Sequence, residues 1–164
     1  DHNLWFYDPR VGKWERRTER ERIGGTGSNR QDFDESRLAE EFDGTHVKDV
    51  KLGRYTAHKL VLKAKPGVDV AYPTVHMWVD VKTYNTLKVQ DIAASGKLMR
   101  TSYYPKWRKL YSESKKADIW FPKEMRIFDE VEKSNRTIIM IRKPNLKALP
   151  ANIFTKAWLE SKSR

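Results

Sequence analysis

Apolar residues recur at every second position along several segments of the chain. Leu60 and Leu62 are spaced in this way. A longer run places four apolar residues at alternate positions, Val75, Met77, Val79 and Val81. A period of two is that of a β-strand with one apolar and one polar face. Such a pattern predicts a sheet whose apolar face must be covered.

Strands account for most of the predicted structure. An aromatic strand, Leu4 to Tyr7, is followed by a charged strand, Lys13 to Ile23. Further strands are predicted over residues 55–65, 71–81, 87–94, 97–104, 119–128 and 137–142. Connectors such as Pro66-Gly67 and Ser95-Gly96 have hairpin length, which favours antiparallel neighbours in a meander. We expect at least six strands in one strongly twisted sheet, with the first strand inside it, next to strands contributed by preceding residues or another chain.

Two helices are predicted beside this sheet. Asp32 followed by Glu35 resembles a capping box that opens a helix extending to Phe42. A second helix is expected from Asn152 to Lys162, where Phe154 and Trp158 are four residues apart and form one apolar stripe. The fold class is therefore mainly β, of the α+β type, with residues 1–164 forming a single domain.

The charge balance restricts the possible partners. The chain has 164 residues, a net charge of +11 and no cysteine, which favours anionic partners and excludes disulfides and thiolate sites. Thr101 to Tyr111 interleaves aromatic residues with Lys106, Arg108 and Lys109, a mixture that can bind single-stranded nucleic acid. No helix-turn-helix or RNP motif accompanies it, so we do not expect nucleic acid as the main partner.

Residues for catalysis or metal binding form no local motif. The four histidines, His2, His46, His58 and His76, lie in separate segments without the short spacings of metal ligands. The glycines after Ile23 lack the Lys-Ser/Thr of a phosphate-binding loop, and we find no nucleophile with a matching base. The sequence therefore predicts no enzyme, no metal site and no cofactor.

Several short segments, taken in order, resemble the outer-membrane lipoprotein-sorting (LolA/LolB-like) superfamily, in particular its periplasmic LolA-like branch. They are Leu4-Trp5-Phe6-Tyr7-Asp8-Pro9, Gly27-Ser28 ahead of Asp32-Phe33, Ala71-Tyr72 before Val75 to Asp80, Leu87-Lys88-Val89 with Gly96-Lys97-Leu98, and Ile153-Phe154-Thr155 with Leu159-Glu160. Members of this family have a further helix and strands ahead of the first of these segments. We therefore expect the chain to correspond to the carboxy-terminal two-thirds of such a domain.

The resemblance implies a strongly curved antiparallel sheet that forms an incomplete barrel closed by a few helices. It implies a periplasmic carrier in the cell envelope of a Gram-negative bacterium, which binds a lipoprotein acyl chain or another lipid without catalysis. An inner-membrane exporter and an outer-membrane acceptor would be its partners. A basic nucleic-acid-binding module and a cell-envelope scaffold without lipid transport remain the alternatives.

The ligand would contact alternating apolar and aromatic residues of the strands, since methionine and aromatic side chains suit a ligand of imprecise shape. The predicted cavity residues are Trp5, Tyr7, Leu60, Leu62, Met77, Val79, Met99, Phe121, Met125, Ile139 and Ile141. They should line a dry pocket of several hundred Å³, roughly the size of small-ligand sites. Ordinary core packing is the competing role for each of them.

Overall fold

The structure, a computed structural model, describes residues 4–17, 21–22, 26–28, 32 and 37–162. Seven strands form its main sheet. They are β3 (Phe42–Leu52), β4 (Tyr55–Ala64), β5 (Thr74–Asp80), β6 (Thr86–Ile92), β7 (Leu98–Ser112), β8 (Ala117–Asp129) and β9 (Arg136–Met140). Two earlier strands, β1 (Leu4–Asp8) and β2 (Lys13–Arg17), form a separate hairpin.

The main sheet is an antiparallel meander. Its strands follow one another in chain order from β3 to β9, and each pairs with the next in the sequence. Within the described ranges β3 and β9 are the edges, so the sheet does not close into a barrel. Irregular pairing interrupts β3, β5, β6, β7 and β8, and such bulges bend strands and increase their twist. The predicted fold class is confirmed.

The largest differences from the predicted strands are at β3 and β7. β3 begins at Phe42, inside the predicted first helix, because Phe42 is buried opposite Ala64 of β4. β7 continues through Ser112, past the predicted end at Tyr104. Pro105 lies within this strand, between the paired positions Tyr103 and Lys106. A bulge accommodates proline in a sheet interior because no ladder hydrogen bond is needed there.

Only part of the first predicted helix lies within the described residues, and the second is divided in two. The first, α1, covers Leu38–Glu41, while residues 33–36 of the predicted helix lie outside the described residues. A 3₁₀ helix, Ala151–Phe154, and helix α2, Lys156–Lys162, occupy the second predicted segment. Phe154 is 73% exposed, so the prediction that it packs on the sheet is wrong. In the described part of the chain, no helix combines the length and apolarity needed to span a membrane.

The β1–β2 hairpin contacts α2. The Nζ atom of Lys156 lies 4.2 Å from the centre of the Trp5 ring, and Nε1 of Trp14 donates a 2.6 Å hydrogen bond to Glu160. Tyr7 packs against Trp14, with ring centres 5.0 Å apart. Within the described residues β1 pairs with β2 in a two-stranded sheet separate from the main one, and the expected neighbour from preceding residues or another chain stays a prediction.

Candidate functional site

One face of the main sheet carries most of the predicted cavity residues. Directly paired residues of antiparallel strands lie on the same face, so the strand register defines rows across the sheet. One row runs through Leu62, Val75, Asp91, Arg100 and Asp129. A second row contains Leu60, Met77, Val89, Ser102, Ile127 and Thr137. We call the side of the sheet that carries these rows the inner face.

The first half of the inner face is apolar. Phe42, Leu62, Val75 and Met77 form a buried cluster, which we call the apolar cluster. Leu60, Val79 and Val89 pack against this cluster but remain half-buried. Each fully buried aliphatic side chain stabilises the fold by about 1.5–3 kcal/mol. The half-buried members leave apolar surface that a ligand could cover.

A glycine allows β3 to approach the apolar cluster. Gly44 lies opposite Leu62 in the register, and a β-carbon at this position would be only 3.0 Å from Cδ2 of Leu62. That distance is shorter than a normal carbon–carbon contact. A larger residue at position 44 would therefore displace the Leu62 side chain.

The second half of the inner face holds a buried charged cluster. The Arg100 guanidinium donates hydrogen bonds to the Asp91 carboxylate and to both carboxylate oxygens of Asp32, the latter at 2.9 Å each. Burial raises the pKa of Asp91, and the charge of Arg100 opposes that rise. Burial disfavours the charged form of Arg100, but the two carboxylates outweigh it and its pKa is raised. The three groups hold one another charged in a place where none would be stable alone.

Two further groups extend the charged cluster. Arg22 pairs with Asp129, whose carboxylate also accepts hydrogen bonds from the backbone amides of Val131 and Glu132 at 2.8 and 2.9 Å. Burial tends to raise the pKa of Asp129, but these hydrogen bonds and the charge of Arg22 prevail and lower it. Burial raises the pKa of Tyr104 to about 12, with a further contribution from Asp32. These carboxylates bind guanidinium and amide groups, so they are not arranged as an acid and base pair.

A small cavity lies at the charged cluster. Its volume is about 70 Å³, well below the roughly 300 Å³ at which small-ligand pockets begin. It is lined by Arg22, Gly27, Tyr72, Met99, Arg100, Ile127 and Asp129. This cavity differs from the predicted dry pocket because three charged side chains line it and because Gly27 covers Ile127 and Thr137 at close contact.

The structure brings together only some of the predicted cavity residues. Leu60, Leu62, Met77 and Val79 are adjacent on β4 and β5. Met125 pairs with Ile139 on the other side of the charged cluster, and the amide of Ile141 follows, bonded to the Lys123 carbonyl at 3.0 Å. These two groups share the inner face.

The other predicted residues lie elsewhere. Met99 lines the small cavity, and Phe121 lies opposite Arg108, beyond the irregular pairing of β7 and β8. Trp5 and Tyr7 belong to the separate hairpin, where Trp5 is 44% exposed. The structure therefore places these four predicted residues outside both groups, and seven of the eleven predicted residues lie away from the apolar cluster.

The opposite side of the sheet, the outer face, is basic and aromatic. One row across it contains Lys59, Trp78, Lys88, Tyr103, Arg126 and Ile138. The Lys88 ammonium lies 4.6 Å from the centre of the Trp78 ring and 5.4 Å from that of Tyr103. Glu124 accepts from Lys106 and Arg126 at 3.0 and 2.6 Å. These cations lie on the face opposite the apolar cluster.

Sequence analysis did not identify some residues of the site, although the alternation along the strands indicated the face on which they lie. Asp91 is two residues after Val89, and Asp129 is two residues after Ile127. The period of two therefore placed both carboxylates on the apolar face. His46, Asp49 and His58 also converge, at the β3 edge of this face, whereas their separation in the sequence gave no metal-binding spacing.

The main sheet defines the fold as an open antiparallel meander of seven strands. Three solved structures share it, each at 20% sequence identity or below. A LolA superfamily protein from Nitrosomonas europaea is 20% identical at a TM-score of 0.72, and the match covers 95% of this chain and 67% of that one. At such identities the likeness shows the fold alone.

The other two structures also share the fold of this chain at low sequence identity. A putative outer membrane lipoprotein-sorting protein domain from Vibrio parahaemolyticus matches at 18% identity and a TM-score of 0.74, over 96% of this chain and 66% of that one. A DUF1329 family protein from Desulfovibrio piger matches at 17% identity and a TM-score of 0.82, over 96% of this chain and 64% of that one. The chain thus spans about two thirds of each of these proteins.

Sequence comparison identifies the family. A protein-family model described as "Uncharacterized protein" matches residues 1–161, and the chain belongs to that family. No curated protein matches the chain significantly.

Proposed function

We propose that the chain is a non-enzymatic carrier that binds a lipoprotein acyl chain or another lipid against the apolar half of its inner face. The observation that carries this proposal is the apolar cluster, together with the half-buried Leu60, Val79 and Val89 that border it. Burial of an acyl methylene group is worth about 0.8 kcal/mol. Several methylene groups against this surface would therefore give measurable affinity that remains reversible.

The similar proteins support the same role. One of the matched structures is titled a putative outer membrane lipoprotein-sorting protein domain. By analogy we place this protein in the periplasm of a Gram-negative bacterium, between an inner-membrane donor and an outer-membrane acceptor. Fold analogy carries less weight than the site itself, so the test concerns ligand binding.

The experiment compares two neighbouring residues on opposite faces of β4. Leu60 lies on the inner face and Val61 on the outer face, and both are half-buried. Leu60→Asp should weaken binding of a fluorescent fatty-acyl probe at least tenfold, because a carboxylate would contact the alkyl chain. Val61→Asp should bind the probe like the wild type. Circular dichroism of both variants would confirm that they are folded.

The proposal fails if the folded wild-type protein binds no acyl probe and yields no lipid on extraction, or if both variants bind equally well. Nucleic-acid binding with a steep salt dependence would instead favour a basic binding module acting through the outer-face row of Lys88, Tyr103 and Arg126. Binding of neither ligand would favour a scaffold role.

A further inference from the structure

A histidine and carboxylate cluster lies at the β3 edge of the inner face. Nε2 of His46 is 2.9 Å from Oδ1 of Asp49, and Nδ1 of His58 is 2.6 Å from the same oxygen. The three possible ligand atoms all lie within 4.8 Å of one another. The two imidazole rings meet edge to face, with centres 5.4 Å apart.

A bulge in β3 creates this convergence. Residues three apart in a regular strand point to opposite faces. In β3, however, His46 pairs with Leu60 while Lys48 pairs with Lys59, so one extra residue, Val47, is inserted. Asp49 consequently pairs with His58 and lies on the same face as His46.

The chemistry of the cluster matches that of a transition-metal site. Two imidazole nitrogens and one carboxylate oxygen are ligands that Zn²⁺ accepts at about 2.0–2.2 Å. Ligand atoms around a tetrahedral zinc ion are about 3.3 Å apart. The present separations of 2.6 and 2.9 Å therefore require the two rings to move away from the carboxylate by about 0.4 to 0.7 Å.

The surroundings allow a cation to enter. The side chains of His46, Asp49 and His58 are 52%, 50% and 32% exposed. The nearby cations Lys48 and Lys59 pair with each other on the outer face, away from the cluster.

We propose that His46, Asp49 and His58 bind a divalent transition-metal ion of the Zn²⁺ type, with a fourth position open to water or an anionic oxygen. The site lies beside the apolar surface, since His58 pairs with Val79 and His46 with Leu60. It does not depend on lipid binding. A failure of the acyl-probe experiment would leave it standing.

The test is isothermal titration calorimetry of the whole chain, without a polyhistidine tag, with zinc chloride. We expect one ion per chain, with His46→Ala and His58→Ala each lowering the affinity at least tenfold. The matched control is His76→Ala. His76 pairs with Gln90 on the outer face and is not part of the cluster, so this variant should bind zinc like the wild type.

A second test measures the unfolding temperature and does not rely on the heat of zinc binding. Zinc should raise the unfolding temperature of the wild type and of His76→Ala, but not that of a His46→Ala/His58→Ala double variant. The proposal is overturned if the wild type binds no zinc, or if the cluster variants retain wild-type affinity. The latter result would also place the ion elsewhere, for example at His2, which lies outside the described residues.

Discussion

The apolar cluster and the charged cluster share one row of the sheet but are held together by different forces. In the apolar cluster, Leu62 and Val75 gain stability by leaving water, and any side chain of similar shape would serve. In the charged cluster, Arg100 is stable only because Asp91 and Asp32 both contact it. The apolar cluster tolerates substitution by other apolar residues of similar shape, whereas the charged cluster depends on a complete set of ionic partners.

The largest effect should come from breaking the charged cluster. Arg100→Met leaves the buried Asp91 carboxylate without its guanidinium partner, so the free energy of unfolding in urea should fall by about 3–5 kcal/mol. The Arg126→Met control should lose no more than about 1 kcal/mol, because Arg126 is half-exposed on the outer face. Equal losses in the two variants would contradict a special role for Arg100.

The same variant makes a pH-dependent prediction. Burial already raises the pKa of Asp91, and without the guanidinium it should rise further. A carboxyl group whose pKa is higher in the folded than in the unfolded state takes up its proton preferentially when folded. The deficit of Arg100→Met relative to the wild type should therefore shrink as the pH falls from neutral to about 5. A deficit that grows over this range would refute the explanation.

The next largest effect concerns the apolar cluster. Leu62→Ala should lower the free energy of unfolding by about 2–3 kcal/mol through lost burial and a residual cavity. Unlike Arg100→Met, its deficit should be the same near neutral pH and at acidic pH, because no charge is exposed. Ile138→Ala is the control, since Ile138 is 53% exposed on the outer face, and should change stability by less than about 0.5 kcal/mol.

A smaller effect is expected at Asp129. Asp129→Ala loses two backbone hydrogen bonds and the Arg22 ion pair, for a cost of about 1–2 kcal/mol. The pKa of Asp129 is lowered, so its contribution is present above the ordinary carboxyl pKa and is lost as the pH falls through the lowered value. The difference from the wild type should vanish only below about pH 4. Asp118→Ala, at an exposed position of β8, should be neutral.

The smallest effect should be found at an exposed cation far from both clusters. The Lys109 ammonium lies 5.3 Å from the centre of the Trp120 ring in an exposed position. Lys109→Ser should change the free energy of unfolding by no more than about 0.5 kcal/mol. A loss above about 1 kcal/mol would mean that exposed cations also stabilise the fold, and the contrast with the buried charged cluster would then be weaker.

The helix predictions show where local signals fail. Asp32 was expected to cap a helix by its spacing to Glu35, which lies outside the described residues, and its carboxylate binds Arg100, a residue 68 positions away. Phe42 would extend a helical pattern, yet burial opposite Ala64 places it in β3. Long-range contacts of this kind override local preference because they supply more free energy than a cap or a favourable propensity.

The amino-acid sequence by itself determined the antiparallel meander, the order of most strands and the alternation that places Leu62, Val75 and Met77 on one face, because a period of two and short connectors are local properties. Tertiary structure alone decided the position of the β1–β2 hairpin, the partners of Arg100 and the meeting of His46 with His58. The physical reason is that these three arrangements depend on which residues of neighbouring strands lie opposite each other. A single inserted residue, Val47, places the Asp49 side chain on the face that carries His46 and His58. No local sequence pattern predicts this insertion.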